Sequence, residues 1–186
     1  ADCIAVPAKD YGHNLPAMRE AITPDTRIVF VANPNNPTGT LASHEDVLAL
    51  VDAVPEHTLL VMDEAYFEFL ESPLDLVPRL QEKTNLLLMR TFSKIYGLAG
   101  LRIGYGIGHP EFIAALEKVR QPFNLNAMAQ AAALAAIDDN DHLEATCANN
   151  AAGLEFFEQT LSELNIETVA SHANFILANV GDGAGT

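Results

Sequence analysis

The chain has 186 residues, with 10 Lys and Arg against 25 Asp and Glu, and a formal net charge of −15. It is 49% hydrophobic and 19% charged, with 2 Cys and no Trp, too apolar for disorder and too poor in cysteine for a disulfide scaffold. No apolar run approaches the roughly 20 residues of a membrane span, and the acidic balance argues against a basic nucleic-acid face. The remaining class is a globular protein of one domain, or one domain plus a piece of another.

Taken in order, Cys3–Val6 is the first strand-like run, and it stands at the very start without a lead-in. Leu15–Ile22 has a helical pattern, and Arg27–Ala32 is a short apolar run of the kind a buried strand needs. Ser43–Val54 follows as a helix, with Ser43 and Asp46 placed as an N-cap pair, weaker than a Glu capping box. Thr58–Met62 is the next strand, Leu74–Glu82 a weaker helix, and Asn85–Met89 a third apolar strand. Leu101–Ile107 reads as a fourth strand interrupted by glycine, followed by helices over Pro110–Val119 and Asn126–Ile137. Continuous apolar strands alternating with helices predict an α/β fold with a mostly parallel sheet covered on both faces.

Beyond this unit, Leu143, Cys147, Ala151, Leu154, Phe157, Leu161 and Leu164 recur at spacings of three and four. They predict one amphipathic helix over Asp141–Asn165, about seven turns long. Its stripe suits packing within or between domains better than a coiled-coil seam. Glu167–Ala170 and Phe175–Asn179 are short strand-like runs that read as the start of a second, smaller layer. The expected organisation is a partial large domain over 1–140, a long inter-domain helix over 141–165 and the start of a small domain over 166–186. The Gly-rich close, Gly181–Thr186, and the abrupt start both read as cuts through a longer protein. Cys3 and Cys147 are unpatterned, which suggests two reduced thiols in a cytoplasmic protein. No signal peptide is visible.

Three strand ends carry unusual polar groups. The first is Asn33-Pro34-Asn35-Asn36-Pro37-Thr38-Gly39-Thr40, a rigid turn after the strand ending at Ala32. Ligands bind at the carboxyl ends of strands in open α/β sheets, although Pro and Gly alone could also explain a turn. The second is Asp63-Glu64-Ala65-Tyr66. A carboxylate there is desolvated unless a cation or donor meets it, or else Asp63 caps the next segment. The third is Thr91-Phe92-Ser93-Lys94. Desolvation lowers an amine's pKa, so Lys94 suits Schiff-base chemistry, against the alternative of an ordinary surface lysine. Eight residues later, Arg102 is expected inside an apolar, Gly-flanked strand, where it needs an anionic partner. With the Thr91 and Ser93 hydroxyls nearby, that anion is naturally a phosphate. An acid, a phenol, an amide, an amine and a phosphate cradle together fit pyridoxal phosphate.

In these segments the chain resembles the fold-type I, class I/II aminotransferases. The resemblance is carried by Asn33–Gly39, Asp63–Tyr66, Thr91–Lys94 and Gly97–Tyr105, in that order. Within the family it is most similar to the histidinol-phosphate aminotransferase subgroup, through Val29–Thr40, Arg90–Lys94, Gly97–Arg102, Arg120–Asn124 and Ser171–Phe175. The resemblance implies the three-layer sheet of the large domain plus the start of a small α+β domain. It implies that Lys94 forms the internal Schiff base and shuttles the proton, and that Asp63 pairs with the pyridine nitrogen. Asn36 and Tyr66 would hydrogen-bond the ring hydroxyl, and Thr91, Ser93 and Arg102 would hold the phosphate. Asn124 and Asn174 would approach the substrate, and no metal is assigned. The implied reaction is amino transfer between glutamate and imidazole acetol phosphate, in histidine biosynthesis. Another class I/II aminotransferase, an amino-acid-phosphate decarboxylase and a non-catalytic module of the same fold are the alternatives. The partners implied are small amino and keto acids and a second copy in a homodimer, with neither nucleic acid nor membrane. Family members are much longer. An aromatic that stacks on the ring, part of the phosphate cup and the substrate-carboxylate arginine lie in segments this chain lacks. The 186 residues alone are therefore expected to bind the cofactor weakly and to transaminate poorly.

Overall fold

The structure is a computed structural model that describes residues 2–181. Four strands make the main sheet in the order β1-β2-β3-β4: Ile28–Ala32, Leu59–Asp63, Leu86–Thr91 and Gly104–Gly108. β1, β2 and β3 are parallel, and β4 returns antiparallel to β3, pairing Arg90 with Tyr105 and Thr91 with Gly104. The mostly parallel sheet expected from the sequence is present.

The period of two along each strand decides which residues meet the core. Val29 and Val31, Leu60 and Met62, and Leu86 and Leu88 share one face and are buried. Helices α1 (Leu15–Glu20) and α2 (His44–Ala53) cover that face through Leu15, Val47, Leu50 and Val51. Ser43 caps α2 as expected: its Oγ accepts from the Asp46 amide at 3.1 Å and donates to the Asp46 carboxylate at 2.7 Å. The opposite face is less covered than the apolar strands suggested. Ile28 and Phe30 on β1 are 61% and 51% exposed, although Val61 and Leu87 at the centre are buried. Both α1 and α2 lie on the same side, so no helix among the described residues reaches across Ile28 and Phe30.

A second cluster forms where α4 (Ala127–Ala136) meets the loop after β3, through Ala129, Ala133, Phe92, Ile95, Tyr96 and Ile103. Helix α3 (Pro110–Val119) follows β4, and α5 (Asn140–Glu163) is the long predicted helix, capped by Asp139. Leu143, Cys147, Leu154 and Leu161 are partly buried as the stripe requires, whereas Ala151, Phe157 and Leu164 are exposed. The inward line runs instead through Asn150, whose Nδ2 donates to the Ala173 carbonyl at 3.1 Å. Past α5, β5 (Glu167–Val169) and β6 (Leu177–Asn179) pair antiparallel. The predicted tail Asp182–Thr186 lies outside the described residues.

Three expectations need correction. Cys3–Val6 forms no strand and is largely exposed, because no strand among the described residues offers it a ladder. Leu74–Glu82 gives only a 3₁₀ turn over Val77–Gln81, since Pro73 and Pro78 restrict the backbone there. The fourth strand begins at Gly104 rather than Leu101, because Ala99–Leu101 is a 3₁₀ turn that ends on Arg102 in the left-handed region.

Candidate active site

A cleft of about 880 Å³ opens on the less covered face, at the carboxyl ends of β2 and β3. Alternation places its polar lining. Asp63 pairs in register with Met89 at the end of β2, and Thr91 closes β3, so both fall on the cleft side. Ser93, Lys94 and Arg102 add further polar groups, and α3 contributes Ile113, Leu116 and Glu117 along one wall, with Arg120 just past it. Across from Thr91, Gly104 lets the strands approach: an added Cβ would sit 2.9 Å from the Arg90 carbonyl oxygen. Larger residues would narrow the floor.

Asp63 is half-buried, and burial pushes its carboxyl above the usual range, opposed by a hydrogen bond from the Ala65 amide and by the Lys94 charge. That amide bond, at 3.2 Å, is the local turn foreseen as the alternative role, and it does not remove Asp63 from the cleft. Lys94 Nζ lies 5.2 Å from the centroid of the Tyr66 ring. Tyr66 is buried, and its hydroxyl accepts from Asn36 Nδ2 at 2.9 Å. The Pro-rich turn and the segment after β2 thus meet behind the lysine. Phe175 packs edge-on against Tyr66, with ring centroids 5.4 Å apart. The Lys94 loop is further held by α5, where His142 Nε2 lies 3.0 Å from the Ile95 carbonyl oxygen.

The Thr91 hydroxyl accepts from the Ser93 amide at 3.0 Å, bending the chain towards Lys94. Arg102 differs from expectation. It is exposed and has φ of 56°, and its Nη1 donates to the Ala99 carbonyl at 2.8 Å. The 3₁₀ turn before it prevents the strand from forming, so the guanidinium is not a buried charge in need of a partner. It still lines the cleft, on backbone in a sparsely populated region. Asn124 and Asn174 are not brought there: both are exposed, and Asn124 Oδ1 accepts from Arg120 Nη1 at 2.7 Å.

One group escaped the sequence reading. Glu64 and Arg90, on the side of the sheet opposite Asp63 and Thr91, form a buried ion pair with Nε 2.9 Å from Oε2. Burial raises the Glu64 carboxyl, against the pull of the Arg90 hydrogen bond and charge. The available signal was an arginine at the end of an apolar strand one residue before Thr91.

Asp63, Thr91, Ser93, Lys94 and Arg102 fit a phosphorylated pyridine aldehyde: one amine, two hydroxyls and a guanidinium near one desolvated acid, in a cleft large enough for it. Comparison with known proteins points to the same class of cofactor. The family model described as Aminotransferase class I and II matches residues 1–185. Histidinol-phosphate aminotransferase 2 of Ralstonia nicotianae is 51% identical over 99% of this chain and 50% of its own length. Histidinol-phosphate aminotransferase 1 of Thiobacillus denitrificans is 52% identical over 97% of this chain and 48% of its own. The solved histidinol-phosphate aminotransferase from Sinorhizobium meliloti, in complex with pyridoxal-5'-phosphate, superposes with a TM-score of 0.91 at 35% identity. That match covers 96% of this chain and 49% of the solved one, so the chain spans about half the length of the relatives it matches.

Proposed function

The chain belongs to the class I and II aminotransferases, and on that premise we propose that the whole protein transfers amino groups with pyridoxal phosphate. The substrate pair proposed is histidinol phosphate with 2-oxoglutarate, giving imidazole acetol phosphate and glutamate in histidine biosynthesis. The names of relatives about half identical over nearly the whole chain support this choice. The observation that carries the cofactor is the convergence of Asp63, Thr91, Ser93, Lys94 and Arg102 on one cleft.

When bound, the cofactor supplies an aldehyde that condenses with amines and a pyridinium ring that withdraws electrons. Lys94 would hold the aldehyde covalently and then carry the proton removed from the substrate's α-carbon. Asp63, already desolvated, would keep a proton on the pyridine nitrogen, which neutralises its own charge. The paired Asn36 and Tyr66 would orient the ring hydroxyl. Thr91 and Ser93 would donate hydroxyl hydrogens to the phosphate, and Arg102 would reach it from its exposed turn. Residues 1–140 would form part of the cofactor domain, 141–165 the connecting helix, and 166–186 the entry to the small domain. The resemblance also supports a cytoplasmic homodimer. No helix among the described residues is long and apolar enough to cross a membrane.

The whole protein reconstituted with pyridoxal phosphate should show a visible absorption band that Lys94→Ala abolishes. It should also favour histidinol phosphate in a panel of amino donors. A band that survives in Lys94→Ala defeats the assignment of the lysine. Equal or better turnover of another donor defeats the substrate.

A further inference from the structure

Side chains alternate along β2 and β3, so each cleft residue has a neighbour on the back of the sheet. Behind Asp63 is Glu64, and Arg90, which also borders the cleft, turns its side chain to the face opposite Thr91's. The Glu64 amide donates to the Met89 carbonyl at 2.8 Å, which adds one rung past the end of β2. The side chains then repeat that link, with Arg90 Nε donating to Glu64 Oε2 at 2.9 Å. The guanidinium carbon lies 3.6 Å from the centroid of the Phe67 ring, and Arg90 stands opposite Tyr105 on β4. The Glu64 and Arg90 side chains are only 5% and 13% exposed.

We propose that Glu64 and Arg90 are positioning residues for the cofactor. Their bridge fixes the spacing between Asp63, which meets the ring, and the Thr91–Lys94 segment, which meets the phosphate and the aldehyde. This rests on the reading of the cleft as a pyridoxal phosphate site. A buried ion pair is a poor source of stability, since apolar residues of similar volume often serve as well. A charge-assisted hydrogen bond with a fixed direction does what apolar contact does not: it sets the register of two strand ends. Arg90 also reaches three structural pieces at once, namely the segment after β2 through Glu64 and Phe67, its own strand, and β4. Neither side chain needs to touch the cofactor for this role.

The test uses the whole protein, stripped of cofactor and titrated with pyridoxal phosphate. The double variant Glu64→Leu/Arg90→Met replaces the pair by apolar residues. It should unfold within a few degrees of the parent yet bind the cofactor about tenfold more weakly, the loss expected of one charge-assisted contact. At saturation its induced circular dichroism in the cofactor's visible band should fall, because that signal reports how the ring is held. Arg90→Lys keeps the charge but loses the planar fork, and should show the same two changes if the double variant does not fold. Parental affinity and dichroism in either variant, once folded, overturn the proposal. A wild-type protein that takes up no pyridoxal phosphate defeats the cofactor reading itself, and the clamp falls with it. Uptake by the wild type together with parental affinity in the variants removes the clamp alone.

Discussion

At the scale of the residue, Asp63 carries a charge in the wrong solvent. Burial raises its carboxyl above the ordinary value of 3.8, and the Ala65 amide and Lys94 only partly offset this. An acid raised in the folded state contributes stability below its unfolded value and loses it as pH rises through the folded value. At neutral pH the cofactor-free protein therefore carries a penalty that a protonated pyridine nitrogen would relieve. Asp63→Asn should remove that penalty while still accepting from the Ala65 amide. Its melting temperature should exceed the parent's by about 1–2 °C at pH 7.5, small because the site is half open to water. The gap should close as pH falls below the ordinary carboxylate range, and cofactor retention should be lost. A variant less stable than the parent at pH 7.5 would mean that Lys94 fully compensates the charge. Asp63, Thr91, Ser93 and Lys94 were legible in the sequence because each follows an apolar strand directly. The exposure of Arg102 was not, because a 3₁₀ turn over Ala99–Leu101 has the same apolar letters as a strand. Glu64–Arg90 was not legible either, since an ion pair across two strands depends on register.

Among the elements, the turn after β1 does more than display Asn36. Gly39 has φ of 77°, and its carbonyl accepts from the His172 amide at 2.8 Å. An added Cβ would come within 2.7 Å of Ser171 Cβ and 3.0 Å of Ser171 Cα, a clash that only a backbone shift relieves. On the other side, Asn150 of α5 holds the Ala173 carbonyl, and Ala173 is fully buried. The segment 171–173 is thus gripped between the turn and α5, just before Phe175 reaches Tyr66. Gly39→Ala should cost about 2–4 kcal/mol by combining a disfavoured φ with a displaced segment. A urea midpoint measures this. Adding Ser171→Gly should recover only part of the loss, because the φ penalty and the crowding against the backbone of residue 171 persist. An unchanged midpoint in Gly39→Ala would mean that the segment yields freely. The sequence shows α2, α4 and α5 well, because their helical patterns, and for α2 the Ser43 cap, are local. It shows Gly39 only as a turn residue, since its second role depends on a segment more than 130 positions away.

Across the whole molecule, the two faces of the sheet are treated unequally. One is closed by α1 and α2, and the other leaves Ile28 and Phe30 exposed on β1, with the cleft beyond them. Apolar composition alone could not foresee this, because a strand covered on both faces and one covered on a single face can share the run Ile28–Ala32. Two large apolar side chains on a strand with one edge unpaired among the described residues form a surface that favours association. The net charge of −15 opposes that through mutual repulsion, which salt screens. The two effects separate experimentally in the 186-residue chain. Raising salt from low levels to about 0.5 M shortens the screening length to a few ångströms and should increase the sedimentation coefficient of the parent chain. In Ile28→Lys/Phe30→Lys the apolar contact is gone, and two added cations reduce the net negative charge. If charge alone governed association, this variant would associate more readily than the parent. If the exposed face governs it, the variant should remain monomeric at both salt concentrations and bind less of an apolar fluorescent dye. Association of the double variant at either concentration would therefore locate the contact elsewhere than on β1.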